Sequence, residues 1–563
     1  MDFPSRTRRS RALAASAISV VLLLAGCGNN GASPALEQLR GPPVAQARPN
    51  ILLIVADDLG YSDLGAFGGE IHTPHLDRLA GEGRLLLDHH SAFTCAPTRA
   101  MIHSGTDQHV TGIGSQSIRD YQRGKPGYEG YLNERSLYLA ELLKDGGYHT
   151  YIAGKWHLGS EEDQAPSARG YEQSWVLLPG VANHFASRAD APLPDNYGPF
   201  RENGKLVTPP ANYYSTDFFT DKLIEYIGAN AGDGKPFFAF AAYTSPHWPL
   251  QAPQNFIERY KGRYDAGYDA IKAARIARQK QLGIIPQEFV PAPSLPASET
   301  YPSWEQLTPE QRKFEARKME VYAAMVTNLD HNIGRLIAYL KQKGLYENTL
   351  IVFQSDNGPE ANRGNLNNGY DNSLANLGRY GSYVYVGPRW AEVSAAPFRL
   401  WKSYPTEAGH SVPTIVRLPG QQRPESALRA LTGIQDLLPT FLEVAGVANP
   451  GSQYKGQPKN PITGFSLLPL LDGRVARVRG PGDVLANEQS NRRYVRKDNW
   501  KITYFDGPLG KGDWELFDLA TDRSERLDLS TIYPDKRREL IADWDKYVAQ
   551  FGVVLPPPPA PAP

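Results

Sequence analysis

Short apolar runs recur along the chain and constrain its fold more than any other feature of the sequence. The clearest begins at Asn50 and continues, with no charged residue, to Ala56. Apolar runs of about four to eight residues without alternation predict strands that are buried on both faces of a sheet. The corresponding runs lie at 50–56, 148–153, 237–243, 349–354 and 413–417.

Stretches with helical periodicity separate these runs, for example from Ser136 to Asp145 and from Phe314 to Lys343. Alternating strands and helices predict an α/β fold with a doubly wound, mainly parallel large sheet flanked by helices. Farther along, short alternating segments predict a small C-terminal antiparallel sheet with a terminal helix packed on it. We therefore expect a main domain at 48–449 with a helical insertion at 251–308, a C-terminal subdomain at 450–553 and a Pro-rich tail at 554–563.

The N-terminus has the pattern of an export signal. Arginines between Arg6 and Arg11 precede a short apolar stretch, which ends in Leu24-Ala-Gly-Cys27. This ending resembles the lipobox of bacterial lipoproteins, in which the cysteine is lipidated after cleavage. We predict a signal peptide at 1–26, a lipid anchor on Cys27 and a flexible tether at 27–47; the alternative is a plain secretory signal with an incidental cysteine.

This pattern predicts a protein of the cell envelope, a periplasm-facing or surface lipoprotein. Gly28, where an Asp would favour retention in the inner membrane, points to the outer membrane. The chain has 60 Lys plus Arg and 60 Asp plus Glu, so its net charge is zero. A balanced charge argues against broad binding of nucleic acid or of anionic membranes. If Cys27 carries the lipid, then Cys95 is a lone thiol and no disulfide can form within the chain.

Ionisable and oxygen-rich side chains follow the buried strands. Asp57 and Asp58 come after the first run, Lys155 and His157 after the second, His247 after the third, and Asp356 with Asn357 after the fourth. In an open α/β sheet, ligands bind beyond the carboxyl ends of the strands. One such residue alone is more often a helix cap or part of a turn, but together these residues predict a site.

The residue types indicate what this site would bind. Asp57, Asp58, Asp356 and Asn357 offer only oxygen ligands, which suit Ca²⁺ or Mg²⁺. Lys155, His157 and His247 add positive or hydrogen-bonding groups. The combination fits an anion held against a divalent cation, such as a phosphate or a sulfate ester.

A candidate nucleophile lies in the segment Cys95-Ala-Pro-Thr-Arg99, which precedes a predicted helix. A reactive group at a helix N-terminus gains from the free N–H groups and from the helix dipole. Arg99 falls on the same helical face as Cys95. A thiolate beside an arginine is activated, so the residues alone leave a cysteine nucleophile open.

The motif Cys95-x-Pro97-x-Arg99 resembles the signature that formylglycine-generating enzymes recognise in sulfatases. The surrounding segments resemble sulfatase motifs in sulfatase order, and they cover nearly all of the chain from Arg48 to Val553. Three further segments resemble the pseudomonad-type bacterial arylsulfatases: 319–325, 370–373 and 387–390. The resemblance implies an alkaline phosphatase-like fold and a sulfuric ester hydrolase that acts on a small-molecule sulfate ester.

The resemblance also implies roles for the site residues. Cys95 would be oxidised to 3-oxoalanine (formylglycine) by a formylglycine-generating enzyme, and its hydrated aldehyde would attack the sulfur and form a covalent sulfate intermediate. The Ca²⁺ ligands would be Asp57, Asp58, Asp356, Asn357 and the modified Cys95. Asp356 would also act as a base toward the attacking hydroxyl.

The remaining roles belong to basic residues. By the same resemblance, Arg99 and Lys155 would stabilise the hydrated aldehyde, and His157 would take a proton as sulfate is eliminated. Lys155, His247 and Lys402 would bind the sulfate, and the last two would assist the leaving oxygen. Lys402 is located by the phrase from Trp401 to His410, in which Ala408 stands where the family usually has glycine.

The activity that the resemblance implies is that of an arylsulfatase. The nearest alternative is a formylglycine-dependent phosphonate monoester or phosphodiester hydrolase. Two others are an inactive surface lipoprotein that binds sulfated glycans and a thiol hydrolase with unmodified Cys95. The aromatic residues between Tyr370 and Trp390 are open to two interpretations, stacking on the substrate or packing in the core.

Overall fold

A computed structural model describes residues 48–194, 198–365, 368–420 and 427–557. The predicted signal peptide, Cys27, the tether at 27–47 and the end of the Pro-rich tail lie outside these ranges, and the predictions made for them stay predictions. A search of the described helices finds none that is both long and apolar enough to cross a membrane.

The strands in chain order are β1 (Asn50–Ala56), β2 (Arg84–Leu86), β3 (His89–His90), β4 (His149–Lys155), β5 (Gln173–Leu177), β6 (Phe200–Glu202), β7 (Lys205–Val207), β8 (Phe237–Ala242), β9 (Thr349–Ser355), β10 (Thr414–Arg417), β11 (Thr432–Gly433), β12 (Gln453–Tyr454), β13 (Gln457–Pro458), β14 (Val484–Gln489), β15 (Arg492–Lys497), β16 (Trp500–Tyr504) and β17 (Glu515–Asp518).

The α-helices are α1 (Pro74–Glu82), α2 (Cys95–Ser104), α3 (Leu139–Asp145), α4 (Ser215–Asn230), α5 (Gln254–Ile257), α6 (Tyr268–Gln281), α7 (Pro309–Gln342), α8 (Pro388–Ser394), α9 (Glu407–His410), α10 (Leu437–Ala445), α11 (Leu468–Leu471) and α12 (Pro534–Phe551).

The large sheet has the strand order β2-β10-β9-β1-β8-β4-β5-β6-β7. The five central strands, from β9 to β5, are parallel to one another, and the pairs at both edges are antiparallel. The predicted doubly wound, mainly parallel sheet is confirmed, and all five strands expected from the apolar runs lie in it. The short, mixed sequence of β5 did not predict a strand.

Helices cover both faces of this sheet. Alternate residues of β1 enter two separate cores: Leu52 and Ile54 lie in one, and Ile51 and Leu53 lie in the other. The first core also contains residues of α1, α4 and α7, and the second contains residues of α2, α3 and α10. Burial on both faces explains why β1 reads as a continuous apolar run.

The long helix α7 is a single element, and its start has a local cause. Thr308 precedes it and accepts a hydrogen bond from the Gln311 backbone N–H through Oγ1, at 3.2 Å. The Gln311 side chain accepts one in return from the Thr308 N–H, at 2.8 Å. This capping box, with Pro309 at the first helical position, fixes the helix start.

The segment predicted as a helical insertion is only partly helical. Helices α5 and α6 occupy its first half. Residues 282–308 then continue to α7 without a helix or strand. The proline and serine content of this second half explains the difference, because proline lacks an N–H donor and serine competes for backbone hydrogen bonds.

Strands β14 to β17 form a separate antiparallel sheet at the C-terminus, in sequence order. Val495, Ile502 and Leu516 pack on one face of this sheet against Leu540 and Trp544 of α12. The predicted C-terminal sheet and helix are therefore confirmed.

A buried polar network joins this C-terminal unit to the segment that follows α2. The His109 ring lies between two carboxylates, with Nδ1 2.8 Å from Asp107 Oδ1 and Nε2 3.3 Å from Glu488 Oε2. Tyr547 of α12 donates its hydroxyl proton to Asp107, at 2.6 Å. Burial lowers the pKa of His109, but the two carboxylates outweigh it and raise this pKa to about 9.

This network predicts a pH-dependent part of the stability. Because the folded pKa of His109, about 9, lies above its ordinary value of 6.5, the contribution of the charged ring is fully present below pH 6.5. It is lost as the pH rises through about 9. We expect the melting temperature of His109→Gln to lie several degrees below that of the wild type at pH 6.

The difference should narrow above pH 9. Thermal unfolding followed from pH 6 to 10 measures it, with His331→Gln, at an exposed histidine, as the matched control. A difference that stays constant across this range would show that His109 is not charged in the folded protein.

Candidate active site

The pairing of β1 with β9 places four oxygen-bearing side chains at one edge of the sheet. The register aligns Ala56 with Ser355, so Asp57 and Asp58 leave the sheet beside Asp356 and Asn357. The Asp58 backbone N–H donates to Asp356 Oδ1 at 3.3 Å, and Asn357 Nδ2 donates to Asp58 Oδ1 at 2.6 Å. All four side chains are buried.

Cys95 is the first residue of α2 and lies against this acidic group. Its Sγ is 3.4 Å from Asp57 Oδ1 and 3.8 Å from Asp58 Oδ1. Lys402 Nζ approaches the same sulfur to 3.1 Å. The start of α2 therefore presents the thiol to both a carboxylate pair and an ammonium group.

Three buried cations compensate the carboxylates, each from a different element. Arg99 of α2 contacts Asp356 Oδ2 through Nε at 3.1 Å and through NH2 at 2.9 Å. Lys155, the last residue of β4, donates to Asp57 Oδ2 at 2.7 Å. Lys402, in the loop before α9, donates to Asp58 Oδ1 at 2.7 Å.

The three carboxylates nearest the thiol, those of Asp57, Asp58 and Asp356, are thus balanced by three cations. Burial raises the pKa of Asp57, but Lys155, His247 and Arg99 together outweigh it and hold this pKa below its usual value. Burial, reinforced by Asp57, raises the pKa of Asp356 even though Arg99 opposes it. In a balanced site a divalent cation and an anionic ester favour each other's binding, because each offsets the charge that the other brings.

Two site residues have backbone conformations that L-residues rarely adopt. Asp58 has φ 64° and His157 has φ 60°. Non-glycine residues in the left-handed region carry strain of roughly 1 kcal/mol or more and are often found at functional sites. Gly154, the residue before Lys155, allows β4 to approach β8 closely. A Cβ added at position 154 would lie 1.8 Å from the Ala242 carbonyl oxygen.

His247 faces the site from the loop after β8. Its Nε2 lies 3.4 Å from Asp58 Oδ2, and its Nδ1 lies 2.7 Å from the Trp248 carbonyl oxygen. A carbonyl oxygen can only accept, so Nδ1 carries the proton and Nε2 is the atom directed at the site. Burial lowers the pKa of His247 to about 4, although Asp57 and Asp58 oppose this effect.

His157 is half-buried and follows Lys155 at the end of β4. Within the described ranges, its buried Nδ1 has no hydrogen-bond partner. Burial, together with the neighbouring Lys155 and Arg99 cations, lowers the pKa of His157 well below 6.5. His157 is therefore a neutral ring with a free nitrogen next to the cationic side of the site.

Ala408 does not displace Lys402. Its backbone carbonyl oxygen packs on Gly358, where an added Cβ would lie only 1.8 Å away. The Gly358 N–H donates to the Gly409 carbonyl oxygen at 2.9 Å. The close approach is therefore provided by Gly358, so alanine is accommodated at position 408 and Lys402 reaches Asp58.

One acidic residue of the site did not follow from the sequence. Glu360 accepts a hydrogen bond from Trp248 Nε1 at 3.1 Å, and its carboxylate lies 3.8 Å from Lys402 Nζ. It therefore links Trp248 to Lys402, which contacts the thiol. Its position three residues after Asn357, on the same strand end, is a signal that could have suggested it.

The two interpretations of the aromatic residues apply to different members of the set. Trp390 is fully buried and packs edge-on against Tyr264 and Tyr268, so it belongs to the core. Tyr385 is half-buried, and the centre of its ring lies 4.9 Å from the centre of the Trp248 ring. The centre of the Trp248 ring lies 4.7 Å from that of His247. Trp248 and Tyr385 form an aromatic wall beside the site.

The donor set fits a hard divalent cation. Four side chains each offer one ligand atom, and these atoms lie within 4.8 Å of one another: a carboxylate oxygen of Asp57 and of Asp58, the sulfur of Cys95 and a ring nitrogen of His247. Among the described residues, the buried Oδ1 of Asn357 has no hydrogen-bond partner. A buried carbonyl oxygen without a donor is costly unless a ligand satisfies it, and with Asp57, Asp58 and Asp356 it could hold Ca²⁺ or Mg²⁺.

The environment of Cys95 does not favour the thiolate that the residues alone left open. Burial and the nearby Asp356 carboxylate raise the pKa of its thiol well above 9, although Lys155 and Lys402 oppose them. The unmodified sulfur is thus a neutral thiol.

The chain is similar to proteins of one family. Residues 49–447 match the family model described as Sulfatase. An uncharacterised sulfatase of Schizosaccharomyces pombe is 42% identical over 535 residues, which cover 91% of this chain and 95% of the relative. An arylsulfatase of Klebsiella aerogenes is 37% identical over 448 residues, covering 77% of this chain and 95% of the relative.

Solved structures show the same fold. A sulfatase from Pseudoalteromonas matches with a TM-score of 0.59 and 20% identity, covering 90% of this chain and 91% of its own. A protein in complex with its substrate D-glucosamine-2-N,6-O-disulfate matches with a TM-score of 0.57 and 21% identity, covering 90% and 98%.

The unpartnered oxygen of Asn357 generates a test of the metal. We expect Asn357→Ala to weaken Ca²⁺ binding by about tenfold or more, since even outer partners of metal ligands contribute about 10–100-fold. Calorimetric titration with Ca²⁺ and the metal content of purified protein measure this independently of turnover. Asn362→Ala, at an exposed residue of the same segment, is the control. Unchanged affinity in Asn357→Ala would exclude Asn357 as a ligand.

Proposed function

The chain belongs to the sulfatase family and is a sulfuric ester hydrolase, and we propose that its substrates are aryl sulfates, which it hydrolyses to a phenol and inorganic sulfate. The observation that carries the aryl preference is the wall formed by Trp248 and Tyr385 next to His247. Flat rings stack on such side chains. The 37% identical relative named arylsulfatase supports the same choice.

We propose further that Cys95 is converted to formylglycine and that Ca²⁺ is held by Asp57, Asp58, Asp356 and Asn357. The Cys95-x-Pro97-x-Arg99 motif and the neutral, buried state of the thiol support the conversion. The hydrated aldehyde would supply an oxygen nucleophile, which a plain thiol does not offer. The cation would neutralise charge on the sulfate oxygens.

The side chains around Cys95 suit the handling of its protons. Asp356 has a raised pKa and is fixed by Arg99, so it can accept a proton from an attacking hydroxyl. His157 is neutral, with a free ring nitrogen, and can accept the second one. Proton transfer by positioned groups typically contributes about 10²–10⁴-fold to a rate.

Stabilisation of the departing oxygen falls to the cationic side. Negative charge develops on the bridging oxygen as the S–O bond breaks, and positioned donors stabilise this charge best in a water-excluded site. Burial lowers the pKa of Lys402, but the acidic groups around it, Asp58 foremost, together outweigh burial and raise this pKa well above 10.5. Lys402 therefore stays charged and can donate. The neutral His247 ring carries its proton on Nδ1, so its Nε2 can donate to the departing oxygen only when the ring is protonated.

The first test concerns maturation and reaction class. We expect protein coexpressed with a formylglycine-generating enzyme to carry an aldehyde at Cys95, shown by peptide mass spectrometry. That protein should hydrolyse 4-nitrophenyl sulfate, whereas Cys95→Ala should not. Turnover is compared with that of 4-nitrophenyl phosphate, a phosphodiester and a phosphonate monoester.

Two outcomes would contradict the proposal. Faster turnover of the phosphodiester or the phosphonate monoester than of the sulfate would identify the alternative hydrolase. Full activity in protein that carries only the unmodified thiol would exclude the formylglycine.

The second test assigns the leaving-group role to His247 and Lys402. If they assist the departing oxygen, their loss should matter most where that oxygen is basic. We expect kcat/KM of His247→Ala and Lys402→Ala to fall little for 4-nitrophenyl sulfate. For a phenyl or alkyl sulfate with a basic leaving group it should fall by about 10²-fold or more.

The measurement is the slope of log kcat/KM against leaving-group pKa across a series of aryl and alkyl sulfates. A steeper slope than in the wild type supports the assignment. Equal losses for every ester would mean that these residues only bind the sulfate. Lys546→Ala, at an exposed lysine of α12, is the control for the removal of a positive charge.

A further inference from the structure

A polar cavity of about 340 Å³ borders the segments that carry Cys95 and Lys402. Its lining includes Thr94, the residue directly before Cys95, and Ser403, the residue directly after Lys402. The opposite wall is formed by the C-terminal sheet, from Gln489 to Arg492. No step in the chemistry described above uses this cavity.

The wall from the C-terminal sheet is a tight hairpin. Gln489 of β14 pairs with Arg492 of β15, and the two residues between them, Ser490 and Asn491, have φ 53° and 68°. Two successive residues with positive φ are typical of a type I′ turn, whose twist matches that of the strands. The hairpin therefore holds the side chains of Gln489 and Arg492 in fixed positions.

Arg492 joins the hairpin to the active-site loop. Its NH1 donates to the Ser403 carbonyl oxygen at 2.7 Å, and its guanidinium lies 4.1 Å from the centre of the Tyr404 ring. Ser403, in turn, donates its backbone N–H to the Phe93 carbonyl oxygen at 2.8 Å. An arginine has five N–H donors, and the bond to Ser403 uses one of them.

The cavity is lined by polar groups that a ligand could satisfy. In the part of the chain that the structure describes, Thr94 Oγ1 and Gln116 Oε1 are buried and have no hydrogen-bond partner, and both residues line the cavity. Thr94 itself is only 3% exposed. Buried polar atoms in native proteins are normally satisfied, so their presence beside the nucleophile points to a bound polar group.

The charges of the lining indicate which group. Arg119 and Arg492 contribute two positive charges and Asp506 one negative charge, so the lining is positive by one. The aromatic wall of Trp248 and Tyr385 is not part of it. The cavity therefore suits a polar, negatively charged group better than an apolar ring.

We propose that this cavity binds an anionic substituent, a carboxylate or a second sulfate, on the organic part of the sulfate ester. Arg119 and Arg492 bind its charge, and the hairpin of the C-terminal sheet determines this specificity. The inference rests on the proposed sulfate ester hydrolysis and adds a substrate class to it: esters with two negative charges.

The test compares two esters that differ by one carboxylate, 4-nitrophenyl sulfate and 3-carboxy-4-nitrophenyl sulfate. The carboxylate is meta to the ester oxygen, so the leaving groups remain closely similar. The quantity measured is the ratio of their kcat/KM values. We expect the wild type to prefer the carboxylated ester, and Arg119→Gln and Arg492→Gln each to reduce this ratio by about tenfold.

Two further variants test the sign of the charge. Asp506→Asn removes the negative charge of the lining and should increase the ratio. Arg123→Gln removes an exposed arginine that is paired with Asp120, outside the cavity lining, and should leave the ratio unchanged. A ratio that falls equally in Arg119→Gln and Arg123→Gln would reflect net charge only and would overturn the proposal, as would a wild type with no preference.

Binding separates a failure of this inference from a failure of the proposed function. If the matured enzyme turns over neither ester, the proposed function fails. Calorimetry with both esters on protein that retains the Cys95 thiol then tests the cavity by itself. Tighter binding of the carboxylated ester that is lost in Arg119→Gln supports the cavity assignment, and equal binding of the two esters overturns it.

Discussion

The close packing of like charges at the ends of β1 and β9 is the constraint on which the rest of the site depends. The register that aligns Ala56 with Ser355 brings Asp57, Asp58 and Asp356 together in a buried place. Unpaired carboxylates cannot remain ionised there, because burial without compensation costs several kcal/mol per charge. Every other feature of the site supplies compensation or follows from it.

The compensating cations come from separate parts of the chain, so the charge balance of the site depends on the tertiary structure. Arg99 lies one turn into α2, Lys155 ends β4, and Lys402 precedes α9. Each is within hydrogen-bond distance of a different carboxylate. The thiol of Cys95 lies between carboxylates and the Lys402 ammonium group. A group formed at this position would therefore contact both proton acceptors and donors that stabilise an anion. An enzyme for a monoanionic ester needs this combination.

How much could be predicted from the sequence depended on whether the signal was local. The buried strands were predictable because runs such as Asn50 to Ala56 are apolar on both faces, and their carboxyl ends located Asp57, Asp58, Asp356 and Asn357. Strand β5 was not predictable, because it is short and its sequence mixes polar and apolar residues. Glu360 was not predictable either, because only its contacts with Trp248 and Lys402 identify it.

The resemblance supplied what periodicity and spacing could not. Lys402 lies 307 positions from Cys95, and no local pattern links the two. The effect of Ala408 could be judged only from the packing of its carbonyl oxygen on Gly358. The insertion from residue 251 to 308 was predicted as helical where the alternation of strands and helices breaks, and its second half is irregular because of its proline and serine content.

The C-terminal sheet helps to position the site, although it lies far from the site residues in the sequence. Glu407, at the start of α9, accepts from Lys501 Nζ at 2.9 Å and from Arg523 Nε at 3.0 Å, and its backbone N–H donates to Glu525 at 3.1 Å. Lys501 and Glu407 are fully buried, and Lys501 Nζ also lies 2.8 Å from Glu525 Oε1. Loss of Lys501 would therefore leave two buried carboxylates with one cation fewer.

A short loop connects this buried network to Lys402. Lys402 precedes Glu407 by five positions, and Ser403 is fixed between the Phe93 carbonyl oxygen and Arg492. The loop is thus held on one side by the segment that leads into Cys95 and on the other by the C-terminal sheet. Because the Lys402 ammonium group must stay within hydrogen-bond distance of Asp58 to balance its charge, the C-terminal sheet contributes to the charge balance of the site.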